Sequence, residues 1–171
     1  MTLRRFSTII VFASTAVLVA MLCVGCSGNS NTNSDSSSSS AETKKTEVSE
    51  YTMTEMTPAD AQAKLTDSNT VFLDVRKASD FNTSHIEGAV NADMDKAKDG
   101  DNDNGIENMK KAISDNNLKN QDIILVCYSG KRYAQAATNI LNYLGYDMSK
   151  VKTLEGGMKA WEAAGYSVHS H

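Results

Sequence analysis

The sequence predicts an α/β fold, a mostly parallel central sheet with helices on both faces. Two apolar, β-branched runs, VFLDV (71–75) and DIILVC (122–127), read as buried strands. Segments of helical character lie between and after them, the clearest running from Lys131 to Leu144. Strands separated by helices build parallel sheets with covered faces. Ligands of such folds bind at the carboxyl ends of the strands, and Cys127 stands at one of those ends.

The first helix signal is Thr57-Pro58-Ala59-Asp60: a hydroxyl N-cap, proline at the first helical position and an acid in the first turn. It predicts a helix to Leu65 or Thr66. After the strand at 71–75 come a short helix over Ala78–Ser84 and a short strand over Gly88–Asn91. Asp99–Gly105 reads as a polar loop, and Ile106–Ser114 as a helix. In the Lys131–Leu144 segment, Ala134, Ala137, Ile140, Leu141 and Leu144 recur at helical spacing. A last strand at Val151–Leu154 and a last helix at Gly157–Ala164, carrying Trp161, complete the pattern.

The folded part occupies residues 51–171, and a different composition precedes it. Arg4 and Arg5 give a positive start, and Ser7–Leu22 is apolar and uncharged. This reads as an export signal over residues 1–25, too short for a membrane span. The segment LCVGC followed by serine and asparagine is similar to the processing site of bacterial lipoproteins. Gly25 is the small residue before Cys26, the expected lipidated position. Leu22 lies one place further upstream than usual, and Cys23 fills the apolar slot. Cys23 is the alternative site, with bulky Leu22 against it; an uncleaved anchor helix would leave the domain on the same side of the membrane. Acyl chains on Cys26 would tether the protein to the extracytoplasmic face of a bacterial membrane. Residues 26–50 then form a polar linker with almost nothing to bury, with a reach of roughly 25–30 Å if flexible.

A chain of 171 residues with so much linker has room for one domain. Its net charge of −4 gives no sign of nucleic-acid binding. With Cys26 acylated and Cys23 removed, Cys127 is the one free thiol, so no internal disulfide can form. A lone thiol in an oxidising compartment is either buried and inert or reactive for a purpose. Its surroundings favour the second reading. CYSGKR (127–132) joins a strand to a helix, whose first turn offers unpaired N–H groups and a partial positive charge. Gly130 permits a tight backbone turn, and Lys131 and Arg132 add two cations. Such a loop attracts negative charge, on the sulfur and on an anion beside it.

Three motifs in order then resemble the single-domain rhodaneses. CYSGKR matches the family's C-x-x-G-x-R loop, LDVRKASDFNTSHIEGAVN (73–91) its upstream motif, and LEGGMKAWEAAGY (154–166) its closing motif. Ser84 departs from the glycine common before the histidine, and the segment between Asp93 and Asn117 is long and polar, at the rim of the site. The resemblance implies a sulfurtransferase of the thiosulfate sulfurtransferase class. Cys127 would be nucleophile and sulfur carrier, taking a sulfane sulfur from a small anionic donor such as thiosulfate. It would pass it to cyanide or a thiol, including one on a partner protein. Backbone N–H groups of Tyr128, Ser129, Gly130, Lys131 and Arg132 would cradle the persulfide. Arg132, with Lys131 beside it, would hold the donor. The resemblance implies no cofactor or metal, and a monomer is expected.

Cysteine phosphatases place arginine after five intervening residues, whereas here Tyr133 occupies that position. The alternative function is a non-enzymatic binding or redox-sensing module of the same fold. Asp74 is expected to accept hydrogen bonds from backbone or from Arg76, and Arg76 is spaced to pair with Asp80 across a helix start. His85 reads as a backbone-bonding residue at the domain edge and Trp161 as core. Asp99–Gly105 has neither the glycine nor the glutamate at the positions an EF-hand loop requires, and reads as a solvated turn.

Overall fold

The structure is a computed structural model and describes residues 45–170. The expected signal segment and lipidation site, and most of the linker, lie outside the described residues. The five strands are β1 (Glu55–Met56), β2 (Thr70–Asp74), β3 (Val90–Asn91), β4 (Asp122–Val126) and β5 (Val151–Leu154). They form one sheet in the order β1-β5-β4-β2-β3, and every pairing is parallel. The helices are α1 (Pro58–Gln62), α2 (Ala78–Thr83), α3 (Asn102–Asp115), α4 (Arg132–Tyr143) and α5 (Gly157–Ala163), with short 3-10 turns at Ala97–Asp99 and Met148–Lys150.

The two central strands explain the two-sided packing. Leu73, Ile123, Leu125 and Cys127 point to one face, where Met109 and Ala112 of α3 and Ala134, Ala137, Ile140 and Leu141 of α4 cover them. Phe72, Ile124 and Val126 point to the other, against Ala61 of α1 and Met158 and Trp161 of α5. Period-two alternation therefore persists, but both faces are apolar because both are covered. Trp161 is fully buried, edge-on to Phe72, and its indole N–H reaches the Ser167 carbonyl at 3.0 Å.

Three elements differ from expectation. The first helix stops at Gln62, because Lys64 and Leu65 bond three residues back in tightened turns and Asp67 gathers the Lys64, Asn69 and Thr70 donors. Strand β1 carries no apolar run; its place is set by backbone bonds from Thr153 to Thr54 and from Glu155 to Met56. Helix α3 starts four residues before Ile106, inside the segment expected to be loop. Asp101 caps it by accepting the Asn104 N–H at 3.3 Å. Gly105 is helical, and a Cβ there would lie 2.5 Å from Ala97 Cβ and 2.6 Å from Ile140 Cδ1. That glycine lets α3 pack closely rather than making a turn.

The packed chain begins within the stretch expected to be linker. The Thr46 hydroxyl donates to Asp103, and Asn102 Nδ2 donates to the Thr46 carbonyl at 2.8 Å. Val48 and Met53 rest against the α3–α4 core, and the Tyr51 N–H bonds Asn139 Oδ1 at 2.9 Å.

Candidate active site

Cys127 is the first residue after β4, and its position there follows from the strand. Four residues of β4 are buried, and the alternation that turns Ile123 and Leu125 toward α4 turns Cys127 the same way. The cysteine is 2% exposed. The chain then folds back on itself so that the Gly130 N–H donates to Cys127 Sγ at 3.1 Å. Gly130 has φ +71°, and a Cβ there would press the Leu154 carbonyl oxygen at 2.8 Å. A left-handed, crowded position of this kind admits only glycine without strain.

The loop is held from beneath by α5. The Met158 N–H donates to the Cys127 carbonyl at 2.8 Å, and the Lys159 N–H to the Tyr128 carbonyl at 3.2 Å. The otherwise unpaired first-turn donors of one helix thus fix the backbone of the loop leading into another. Gly157 makes this approach: at φ +59°, a Cβ would meet the Cys127 carbonyl oxygen at 2.3 Å and Ser129 N at 2.7 Å.

Asp74 and Arg76 form the buried support beside the loop. Arg76 Nη2 lies 2.7 Å from Asp74 Oδ2, Nε lies 3.0 Å from Oδ1, and the Arg76 backbone N–H also donates to Oδ1 at 3.0 Å. A further guanidinium bond reaches the Ser84 carbonyl at 2.6 Å. Asp74 accepts from both backbone and Arg76, as expected. The expected Arg76–Asp80 pair does not form, because Asp74 takes the guanidinium while Asp80 accepts the Tyr128 hydroxyl. Burial works against the Arg76 charge, yet the Asp74 carboxylate more than offsets it and lifts its pKa above the ordinary value. Asn91 completes the support, donating to the carbonyls of Asp74 and Arg76 at 2.9 and 3.1 Å. His85 bonds the Phe81 carbonyl through Nδ1 at 2.8 Å, a backbone role.

Two tyrosines wall the loop. The Tyr128 ring lies under the Arg76 guanidinium at 5.7 Å and meets the Tyr133 ring edge-on at 5.1 Å. Burial, reinforced by the Asp80 carboxylate, pushes the Tyr128 phenol up to about 12. Burial and Asp95 raise Tyr133 likewise, and its hydroxyl donates to Asp95 at 2.6 Å.

The loop's predicted donors are arranged unequally. Gly130 reaches the sulfur, Ser129 is exposed, and Lys131 is exposed at the start of α4. Arg132 turns outward: its Nη2 lies 2.7 Å from Asp99 Oδ1. Asp99 in turn accepts from Lys98, whose bond is the main cause holding the Asp99 carboxyl below its usual range. The acids of Asp99–Gly105 are thus occupied: Asp99 in an ion-pair network, Asp101 in a helix cap and Asp103 as acceptor for Thr46. Sequence reasoning assigned no site role to Gly157, Met158, Tyr133 or Asp99, and read Asp80 only as a partner for Arg76. The doubled glycine of the closing motif was the available signal for the first two; the acids and Tyr133 carry none, since their roles arise from distant segments meeting.

A model of the rhodanese-like domain family matches residues 57–164, most of the described chain. Among solved structures, the chain is similar to the rhodanese-like domain of a protein from Anabaena sp., at 24% identity and TM-score 0.54, over 70% of this chain and 81% of that one. It is similar to a protein from Bacillus halodurans at 21% identity and TM-score 0.54, over 68% and 77% of the two chains. A thiosulfate sulfurtransferase from Pseudomonas aeruginosa matches at 19% identity and TM-score 0.53; 69% of this chain is covered, but only 20% of that one. With the family match spanning more than half of the sequence and the parallel five-stranded sheet to go with it, the chain belongs to the rhodanese-like domain family.

Proposed function

We propose that this protein is a sulfurtransferase that moves a sulfane sulfur through a persulfide on Cys127. The observation that supports the reading most is the Gly130 N–H aimed at Cys127 Sγ from 3.1 Å, inside a loop whose carbonyls are fastened to α5. A sulfur nucleophile held at a strand end beneath backbone donors needs no reorganisation when charge moves onto a second sulfur. The Cys127 thiolate attacks the outer sulfur of thiosulfate, the donor's S–S bond breaks, and sulfite leaves with the bonding electrons. The Cys127–S–S⁻ formed then gives its terminal sulfur to cyanide or to a thiolate, regenerating the cysteine thiolate. Backbone N–H groups from Tyr128 to Arg132 hold the terminal sulfur. A six-residue loop encloses a single sulfur atom more tightly than a phosphate.

The acceptor side extends to a thiol on a partner protein, since a persulfide left waiting outside the cytoplasm is open to oxidation. The domain works as a monomer, held at the extracytoplasmic face of a bacterial membrane by lipid on Cys26. The test of the chemistry is an intact mass of the full chain in detergent after incubation with thiosulfate, beside Cys127→Ala. Gain of one sulfur, about 32 Da, reversed by cyanide with release of thiocyanate and absent from the variant, is the expected outcome. A thiol that alkylates readily yet never gains sulfur from any sulfane donor would instead assign the domain to binding or redox sensing.

A further inference from the structure

Arg132 is one of two exposed cations that close the Cys127 loop, beside Lys131, and it already has an anion. Its guanidinium lies 2.7 Å from Asp99 Oδ1. Asp99 belongs to the 3-10 turn Ala97–Asp99, which is anchored by the buried Ala97 and closed by Gly100. Lys98 holds Asp99 from the next residue and also reaches Asp95 at 3.2 Å. Asp95 in turn pairs with Lys77 at 3.4 Å and accepts the Tyr133 hydroxyl. Asp99 therefore links Arg132 to a chain of alternating charges that runs through Lys98 and Asp95 to Lys77, and is not an isolated side chain.

We propose that Asp99 is a specificity-determining residue: its carboxylate competes with the donor's anionic group for Arg132, and so disfavours doubly charged donors relative to singly charged ones. The inference rests on the sulfurtransferase reading above. In the transfer step, the Cys127 thiolate bonds to the outer sulfur and the donor's inner group departs with the electron pair. Thiosulfate, a dianion, departs as sulfite; an aryl thiosulfonate, a monoanion, departs as the aryl sulfinate. The reacting sulfur and the persulfide formed are the same for both, so the two donors differ in the charge that Arg132 and Asp99 meet. Coulomb energy scales with that charge, so removing the Asp99 charge favours the dianion more. Both side chains are well exposed, at 71% and 57%. Exposed pairs of this kind change affinities by only roughly two- to fivefold.

The experiment measures kcat and KM of the full chain in detergent with thiosulfate and with benzenethiosulfonate, cyanide being the acceptor. Asp99→Asn is expected to raise kcat/KM for thiosulfate roughly two- to fivefold, through KM and not kcat, with a smaller gain for benzenethiosulfonate. High salt should narrow the difference between donors. Asp115→Asn makes the same change in net charge about 20 Å along α3 and should alter neither donor. In an Arg132→Gln background, the Asp99 effect should vanish. Equal kinetics in wild type and Asp99→Asn, an equal gain for both donors, or a gain that survives Arg132→Gln would overturn the role of Asp99 while sulfur transfer stands. Failure of every variant and of wild type to accept sulfur from either donor would overturn the underlying reading instead.

Discussion

Asp74 is fully buried, and the charge it carries is matched by four bonds from Arg76, three from the guanidinium and one from its backbone N–H. A buried ion pair adds little by existing, because both charges lose their hydration; removing one partner is what costs heavily. Arg76→Met would leave the Asp74 carboxylate uncompensated beside the Cys127 loop and free the Ser84 carbonyl. A loss of about 3–5 kcal/mol is expected, read as a lower midpoint in urea denaturation. A variant as stable as wild type would show that Asp74 is served by its backbone donor alone. The same pair also positions Tyr128, whose ring lies under the Arg76 guanidinium, so stability and the shape of the cup are linked at one residue.

At the scale of elements, the site is a junction between the end of β4 and the starts of two helices. Helix α4 follows the loop, while α5 grips its backbone through Met158 and Lys159. The contact depends on Gly157, where even a methyl group would press the carbonyl of Cys127 and the backbone of Tyr128 and Ser129. Gly157→Ala is therefore expected to displace Cys127, the proposed nucleophile. Misplacement by about an ångström costs on the order of 100-fold in rate, so sulfur loading should slow by that order while the circular dichroism spectrum stays native. Unchanged loading would mean that α5 supports the loop without setting its geometry.

At the scale of the whole molecule, the rim and the amino-terminal approach share the same elements. Asp99 and the cap of α3 lie in one short segment, and Thr46 is bonded to Asn102 and Asp103 just after it. Tyr51 reaches α4 through Gln135 and Asn139. The described chain leading toward the proposed membrane anchor thus runs from α4, at Tyr51, to the start of α3, at Thr46. Cys26→Ala is expected to move the protein from the membrane fraction to the soluble fraction and to abolish incorporation of a labelled fatty acid. Retention of the label would place the lipid on Cys23 or elsewhere, and membrane association without any label would favour an uncleaved helix.

The sequence by itself determined the strand runs at 71–75 and 122–127, the helix over 131–144 and the place of Cys127 at the end of a strand. Each rests on local signals: apolar runs, helical spacing, caps and the residues of one loop. It also made the family legible, because three separate motifs keep their order. Asp74 as an acceptor for Arg76 was legible too, since a buried carboxylate must find a donor and one stood two residues away. Tertiary structure decided what depends on distant segments meeting. The edge strand Glu55–Met56 exists because β5 offers it a backbone ladder. Helix α3 begins early because Asp101 caps it and Gly105 fits against Ala97 and Ile140. Arg76 takes Asp74 rather than Asp80, and Arg132 turns to Asp99, 33 residues away. Charge partners are chosen by proximity in space, and sequence spacing predicts that proximity only within one helix or one turn.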